Sequence, residues 1–596
     1  VLGAQIEARA RDPELAERVL VRRGGHSWTY RRFRDECVRT AHFLLKRLSG
    51  LGAGRPGHVA VLLENQPEFL SLYGACGYAG LTLFGLNTGL RGETLAGVLN
   101  QSRAPLLVVD ERFLPELDRV RGQLQHLQPE NVLVLPTIGE HDLGGQNLLE
   151  CLAREVGKSG EALEPPTVEV TPQTPLVVIY TSGTTGLPKG IVNNHFKLLA
   201  IGLAVSQRME LGPEDVGYAC MPLFHSNALF LGFQPAFHVG ASLALRERFS
   251  ASSFLPDVLD YGVTYWNYVG EPVHYILAAL EREYGAEDRI LEEVTAHPRN
   301  RLRYALGNGA SAPDIDRFTR WLGLEDMFEL YGSTEAAIST FRRKGDPRGS
   351  VGEITDPDVK ILSEDGAECP PAELDATGHL TNYADCVGEI CRVAPEAGLF
   401  QGYFDNEAAN VSKFREGIYH SGDLGHVLLE GGKRYLFFDG RTDDWIRKDG
   451  ENFSAAQVAR LLQEHPDVDL AAAYGVPCSV SDELVMAALQ LHPGSRFDGR
   501  EFYAVCRRQV EGGSMDQKWI PDFVRLVDSF EFTQTQKILV RHLKREHFNR
   551  QRLPDSPLYW RERGDEGFKP FSARDYQALR ERFEAAERLP LLGVRA

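Results

Sequence analysis

The chain has no paired-cysteine pattern, no surplus of basic residues and no unbroken apolar run long enough to span a bilayer. Its nine cysteines (Cys37, Cys76, Cys151, Cys220, Cys369, Cys386, Cys391, Cys478 and Cys506) are odd in number, scattered and free of any C-x-x-C pair. That argues against a disulfide framework and a structural zinc site, and fits a reducing, cytoplasmic setting. The net charge of −18 argues against a nucleic-acid partner. Any nucleotide would have to be met by local cations, against the overall field. The most apolar region, 69–86, is broken by Ser71, Gly74, Gly77, Gly80 and Thr82. It falls short of the roughly 20 apolar residues that a spanning helix needs and reads as a core helix followed by a strand. No charged-then-apolar leader opens the chain; because the first residue is not Met, a trimmed start stays open. Internal repeats and low-complexity segments are also missing.

At 596 residues the chain is too long for one hydrophobic core, since domains run to about 100–200 residues. Near the start, YRRFRDECVRTAHFLL places Phe33, Cys37, Ala41 and Leu44 on one face of an amphipathic scaffold helix. Apolar runs at 58–63, 106–110, 132–135, 176–180 and 241–245 alternate with helical patterns, the rhythm of an α/β protein with buried strands. Beyond residue 441 the pattern restarts on a smaller scale: helix 455–463, strands 468–474 and 484–491, helix 502–509 and strand 523–527. The predicted fold class is therefore α/β, a large N-terminal multilayer α/β body followed by a smaller α+β domain. After Phe548 comes a polar, aromatic-spotted tail, expected to pack on the body, ending in a helix that Ser572 and Asp575 can cap.

The most informative segment is 180–190, YTSGTTGLPKG, which follows an apolar run. Gly183, Gly186 and Gly190 let backbone N–H groups turn toward an anion; Thr181, Ser182, Thr184 and Thr185 bring hydroxyls, and Lys189 brings charge. A Walker loop is excluded, because Pro188 precedes Lys189 and Gly190 follows it. The competing reading, a flexible surface hairpin, leaves the order of these residues unexplained. Four further segments stand out: 307–310 (GNGA), 328–336 (FELYGSTEA), 420–424 (HSGDL) and 440–453 (GRTDDWIRKDGENF). Each has a plain structural alternative: a tight turn, an N-capped strand-to-helix turn, a turn aspartate and a charged connecting loop.

Together these segments resemble the signatures of the adenylate-forming enzymes, the superfamily of acyl-CoA synthetases, peptide-synthetase adenylation domains and luciferases. The resemblance covers about 29–548. Residues 87–91 (NTGLR), 305–314 (ALGNGASAPD), 349–352 (GSVG) and 441–452 are most similar to very-long-chain acyl-CoA synthetases and fatty-acid transport proteins. It implies a body at 1–442, a mobile C-terminal domain at 443–548 and an extension at 549–596. ATP, Mg²⁺ and CoA are implied, with a small-molecule carboxylic acid as substrate.

The resemblance also implies roles. Tyr331 stacks on adenine beside Gly332, Asn308 and Gly309 line the base, Thr334 donates to the α-phosphate and Glu335 ligates Mg²⁺. Asp423 accepts the ribose hydroxyls with Arg441 in support. Asp443 is the hinge, and Gly450 approaches the pantetheine arm. Lys537, in 533–537 (TQTQK), stabilises charge during adenylation. The family's glycines around that lysine are replaced by Gln534 and Gln536, a departure that bears on loop flexibility. In 221–228 (MPLFHSNA), His225 either gates the acyl pocket or is structural. The function implied is ATP-dependent ligation of a bulky apolar acid, a long- or very-long-chain fatty acid, to CoA. The alternatives are a steroid or bile-acid side-chain ligase, an enzyme that loads a carrier protein, and a lipid-uptake protein without catalysis. The resemblance leaves room for peripheral membrane contact and a homodimer.

Overall fold

A computed structural model describes residues 1–51, 57–137, 146–157, 163–181, 187–376, 380–394, 399–441, 444–448, 451–480, 483–533, 538–562 and 564–592. The chain forms two compact units, one of Val1–Arg348 with Pro395–Glu416 and one of Gly349–Ala394 with Gly417–Ala596.

The first unit contains two large sheets. In the six-stranded sheet, Val132–Leu135, Leu106–Asp110, His58–Leu62, Thr82–Gly85 and Pro175–Thr181 run parallel, and Lys189–Asn194 closes the edge antiparallel. The parallel strands are buried, which is why they read as continuous apolar runs rather than alternating ones. The eight-stranded sheet has six parallel strands, ordered Asp326–Gly332, Tyr304–Asn308, Tyr265–Val269, Val216–Ala219, Ser242–Leu245 and Val19–Arg23, with Ser339–Phe341 and His26–Thr29 antiparallel at its edges. One core is shared by both sheets: Leu83 and Ile179 from the first belong to the same buried cluster as Tyr218 and Leu243 from the second. The scaffold helix Tyr30–Gly50 is capped by Thr29, whose side chain accepts the Arg32 N–H, and buries Phe33, Cys37, Ala41 and Leu44 as its pattern requires. The apolar stretch after Gln66 is the helix Pro67–Ala79 followed by the strand Thr82–Gly85. Among the described residues no helix is long and apolar enough to cross a membrane.

The second unit carries an antiparallel sheet of Val359–Leu362, Gly388–Val393, Ile418–Glu430 and Lys433–Arg441. A second sheet runs through Val468–Pro477, Glu483–Leu491, Phe523–Leu526, Leu558–Trp560 and Lys569–Pro570. The helices Ala455–Leu462 and Gly499–Glu511 share a core with this second sheet. The tail, expected to pack on the body, instead belongs to the second unit and continues this small sheet: Leu558–Trp560 pairs antiparallel with Phe523–Leu526. Its last helix, Ala573–Ala585, starts at a capping box in which Ser572 and Asp575 satisfy each other's backbone N–H groups, and it buries Tyr576, Leu579 and Phe583.

Candidate functional site

Parallel strands bring their carboxyl ends to one edge, where open α/β sheets bind ligands. In the eight-stranded sheet that edge is formed by Val269, Asn308 and Gly332, with Val269 in register with Asn308 and Gly307 with Glu329. The turn after Asn308 has no room for side chains. A Cβ on Gly307 would lie 2.2 Å from the Tyr268 carbonyl oxygen, one on Gly270 would lie 1.9 Å from the Gly309 carbonyl oxygen, and Gly309 holds φ +84°. Glycine is required at these points by backbone contact.

A buried carboxyl group supports this turn from below. Glu329 Oε1 accepts the Tyr268 hydroxyl at 2.7 Å and the Ala310 N–H at 3.3 Å. Burial pushes its carboxyl up to about 7, against those hydrogen bonds, which favour ionisation. The unfolded chain ionises this group near 4.5, whereas the folded chain keeps it protonated until about 7. Its contribution to stability is therefore complete below pH 4.5 and is lost as pH rises through 7. Glu329→Gln, which cannot ionise, is expected to remove this dependence. The unfolding free energy of the parent relative to the variant, from denaturant titrations, should fall between pH 4.5 and 7, with a limiting slope of about 1.4 kcal/mol per pH unit. A constant difference across that window would contradict the assignment.

Tyr331 is buried near the end of its strand, and Gly332 pairs with Ser339. The chain then turns, the Ala336 N–H donating to the Ser333 carbonyl with Ala336 at φ +54°. Three side chains from distant segments hold this turn. Lys197 Nζ donates to the carbonyls of Thr334 at 2.6 Å and Glu335 at 3.0 Å. Ser226 Oγ and Thr334 Oγ1 share a hydrogen bond of 2.9 Å, and the Tyr403 hydroxyl donates to Glu335 Oε1 at 2.6 Å. Lys197 reaches inward because Asn194 caps the helix His195–Arg208 by accepting its N–H, which fixes the lysine in the first turn. The lysine is 1% exposed. Burial pulls its ammonium down to about 7, against the attraction of the Glu335 carboxylate.

The edge hairpin of the six-stranded sheet approaches the same residues. Thr181 and Lys189 are in register, and the Thr181 hydroxyl donates to the Lys189 carbonyl at 3.4 Å. Lys189 Nζ lies 5.4 Å from the centre of the Tyr403 ring, within cation–π range. Tyr403 is fixed by a bridge to Ile191, and the Phe404 N–H donates to the Gly190 carbonyl. One tyrosine thus links the Lys189 cation to the carboxylate of the 333–336 turn. His225 lies beside Ser226, just before the helical segment Asn227–Phe233. Its N–H donates to the Pro222 carbonyl.

Asp423 and Arg441 lie in the second unit. They face each other across paired strands, with Arg441 Nε 3.5 Å from Asp423 Oδ1. Gly422, at φ +76°, donates its N–H to Glu389 Oε1 at 2.8 Å, and the Asp423 N–H donates to Ser421 Oγ at 3.0 Å. Ser182, Gly183, Thr184, Thr185, Gly186, Asp443, Gly450 and Lys537 lie outside the described residues.

The structure thus gathers Thr181, Lys189, Thr334, Glu335 and His225 around residues that sequence reasoning missed: Lys197, Ser226 and Tyr403, with Glu329 beneath the neighbouring Gly309 turn. Two signals were available. Lys197 is a single cation on an otherwise apolar helix start, HFKLLAIGLAV, and Glu329 is an acid inside a strand. Ser226 lies inside 221–228, a segment singled out only for His225, and for Tyr403 there was no signal.

Comparison with known proteins fits this arrangement. The chain is 35% identical over 495 residues to the medium/long-chain-fatty-acid–CoA ligase FadD17 of Mycobacterium marinum, covering 82% of this chain and 86% of that protein. It is 33% identical over 579 residues to the steroid-22-oyl-CoA synthetase of Rhodococcus jostii, covering 97% of each. Its fold matches the crystal structure of the anthranilate CoA ligase AuaEII in complex with anthranoyl-AMP, with a TM-score of 0.73 at 22% identity over 90% of this chain and 95% of that one. With the sequence model of the AMP-binding enzymes matching residues 6–404, the chain belongs to the AMP-binding enzyme family.

Proposed function

We propose that the protein is an AMP-forming acyl-CoA synthetase. It activates a bulky apolar carboxylic acid, a long- or very-long-chain fatty acid, as an acyl-adenylate and transfers the acyl group to CoA. The observation that carries this reading is the 333–336 turn. A buried lysine, a serine and a tyrosine hold Thr334 and Glu335 at the carboxyl edge of a parallel sheet, and Lys189 stacks on the same tyrosine.

In the first half-reaction a carboxylate oxygen of the acid attacks the ATP α-phosphorus in line, and pyrophosphate leaves with the electron pair of the broken P–O bond. The phosphate segment, with Thr181, Ser182, Gly183, Thr184, Thr185, Gly186 and Lys189, retains the departing pyrophosphate. Thr334 donates to the α-phosphate, and Lys537 stabilises the spreading charge. Tyr331, Gly332, Asn308 and Gly309 accommodate adenine, and Asp423 with Arg441 holds the ribose. Glu335 suits Mg²⁺: it is a hard oxygen ligand, and Tyr403 engages one oxygen and so orients the other. When bound, that ion would neutralise phosphate charge. In the second half-reaction the domain from 443 to 548, together with the tail whose strand Leu558–Trp560 pairs with it, turns about Asp443, withdrawing Lys537 and presenting Gly450 to the pantetheine arm. The CoA thiol adds to the acyl carbonyl and AMP leaves. His225, beside Ser226, lines the acyl pocket.

A steroid side-chain acid is the second reading, supported by the match to the steroid-22-oyl-CoA synthetase along 97% of each chain. Peripheral membrane contact, useful for taking up an acid dissolved in lipid, is supported by Phe196 and Leu203, 54% and 40% exposed on the helix His195–Arg208. Pyrophosphate release and acyl-CoA formation with C8 to C24 fatty acids, a bile acid and a sterol carboxylate test the reading. Turnover of the fatty acids is expected. Turnover of the steroid acids alone would favour the second reading, and no thioester with any acid would refute both.

Asp423→Ala is expected to raise the KM for ATP about 10- to 100-fold, since a charge-assisted hydrogen bond contributes about 1.5–3 kcal/mol. The KM of the acid should stay within about threefold, which steady-state kinetics and AMP calorimetry would check. Unchanged AMP affinity would remove Asp423 from the nucleotide site.

A further inference from the structure

In the second unit, Glu389 and Cys391 stand two residues apart on the strand Gly388–Val393, and His420 on the neighbouring antiparallel strand pairs directly with Cys391. Cross-strand partners share a sheet face, so the fold itself brings these side chains together. His420 Nδ1 lies 2.8 Å from Glu389 Oε2 and 3.6 Å from Cys391 Sγ, and one ligand atom from each of the three residues falls within 4.8 Å of the others. We propose that Glu389, Cys391 and His420 bind a thiophilic divalent cation of the zinc type, and that occupancy weakens nucleotide binding through the Gly422–Asp423 turn.

The chemistry fits such an ion. Zinc bonds of about 2.3 Å to sulfur and about 2.0–2.2 Å to nitrogen and oxygen, arranged tetrahedrally, separate ligand atoms by about 3.3–3.6 Å. The 3.6 Å between His420 Nδ1 and Cys391 Sγ already matches this, while the 2.8 Å between His420 Nδ1 and Glu389 Oε2 must open as the ion replaces their direct contact. Thiolate, imidazole and carboxylate together suit zinc or cobalt and disfavour Mg²⁺, which takes oxygen ligands. Three protein ligands leave one position for water, unlike the closed four-ligand centres that cysteine spacing can reveal; this site joins one cysteine and a glutamate of the same strand to a histidine from the neighbouring strand. Cys391 is buried, while the Glu389 and His420 side chains are each 19% exposed and give the ion a way in. Binding sends the Cys391 thiol proton to solvent, and His420 coordinates through Nδ1 with its proton on Nε2.

The link to the nucleotide runs through Glu389. Its Oε1 accepts the Gly422 N–H while Oε2 faces His420, so a cation held by Oε2 draws the carboxylate's charge and position toward itself and weakens the bond that anchors the residue before Asp423. This coupling rests on the ribose-binding reading of Asp423; the cation site itself does not.

Titration of the full chain with Co²⁺ should produce a near-ultraviolet thiolate-to-cobalt absorption band that Zn²⁺ bleaches. Cys391→Ser and Cys391→Ala should both lack the band and turn over as the parent does without zinc. AMP calorimetry in saturating Zn²⁺ should show at least tenfold weaker binding to the parent and no change in either variant. Absence of the band in the parent, or its survival in both variants, overturns the site. A band that behaves as expected while zinc leaves AMP affinity unmoved overturns the coupling. Failure of AMP to bind even without zinc would count against the nucleotide reading, and the cobalt band would still decide the site.

Discussion

Lys537→Ala is expected to lower acyl-adenylate formation from acid and ATP by about 10²–10³-fold, the loss typical of removing one charge-stabilising group from a reacting centre. Thioester formation from supplied acyl-adenylate and CoA should stay within about threefold of the parent. The split follows from the proposed alternation, in which this lysine attends the phosphates in one half-reaction and is withdrawn in the other. Pyrophosphate release and acyl-CoA formation, measured separately on the same preparation, give both numbers. Equal loss in both half-reactions by a folded variant would show that the lysine is not specific to adenylation.

Lys197→Met should give the second large effect. Methionine keeps most of the buried stem but cannot donate to the Thr334 and Glu335 carbonyls, which Lys197 reaches at 2.6 and 3.0 Å. A buried carbonyl left unsatisfied costs about 1–3 kcal/mol, so the turn should relax rather than keep its position. Displacement of a reacting or binding group by about 1 Å can cost on the order of 100-fold in rate. Adenylation is therefore expected to fall about 100-fold, with the KM for ATP raised and thiolysis of supplied adenylate little changed. Rapid-quench measurement of the pyrophosphate burst is the check. A variant that melts earlier yet adenylates at the parent rate would reduce Lys197 to a packing role.

Local signals made much of this architecture readable before the structure. The buried parallel strands appear as apolar runs because both faces are covered, as at 106–110 and 132–135. The capping box of Ser572 and Asp575 is readable because both partners lie within one turn. The family itself was readable because its signature segments each pack their residues into a few consecutive positions. The support of the site was not, because it is made by long-range pairs. Lys197 meets its carbonyl partner Thr334 across 137 positions, and Tyr403 meets Glu335 across 68. Only the fold brings such residues together, and a single lysine or tyrosine carries no trace of its partner in its own neighbourhood. The same holds for Cys391 and His420, 29 positions apart and joined only by strand register.

The route through an acyl-adenylate is tested most directly by oxygen transfer. When the acid carries ¹⁸O in both carboxylate oxygens, attack on the α-phosphorus followed by thiolysis must leave one labelled oxygen on the AMP phosphate and one in the thioester carbonyl. Mass spectrometry of the products of a single turnover with ATP and CoA is expected to find one ¹⁸O per AMP and none in pyrophosphate. Label in inorganic phosphate or pyrophosphate, or AMP without label beside labelled thioester, would contradict the account.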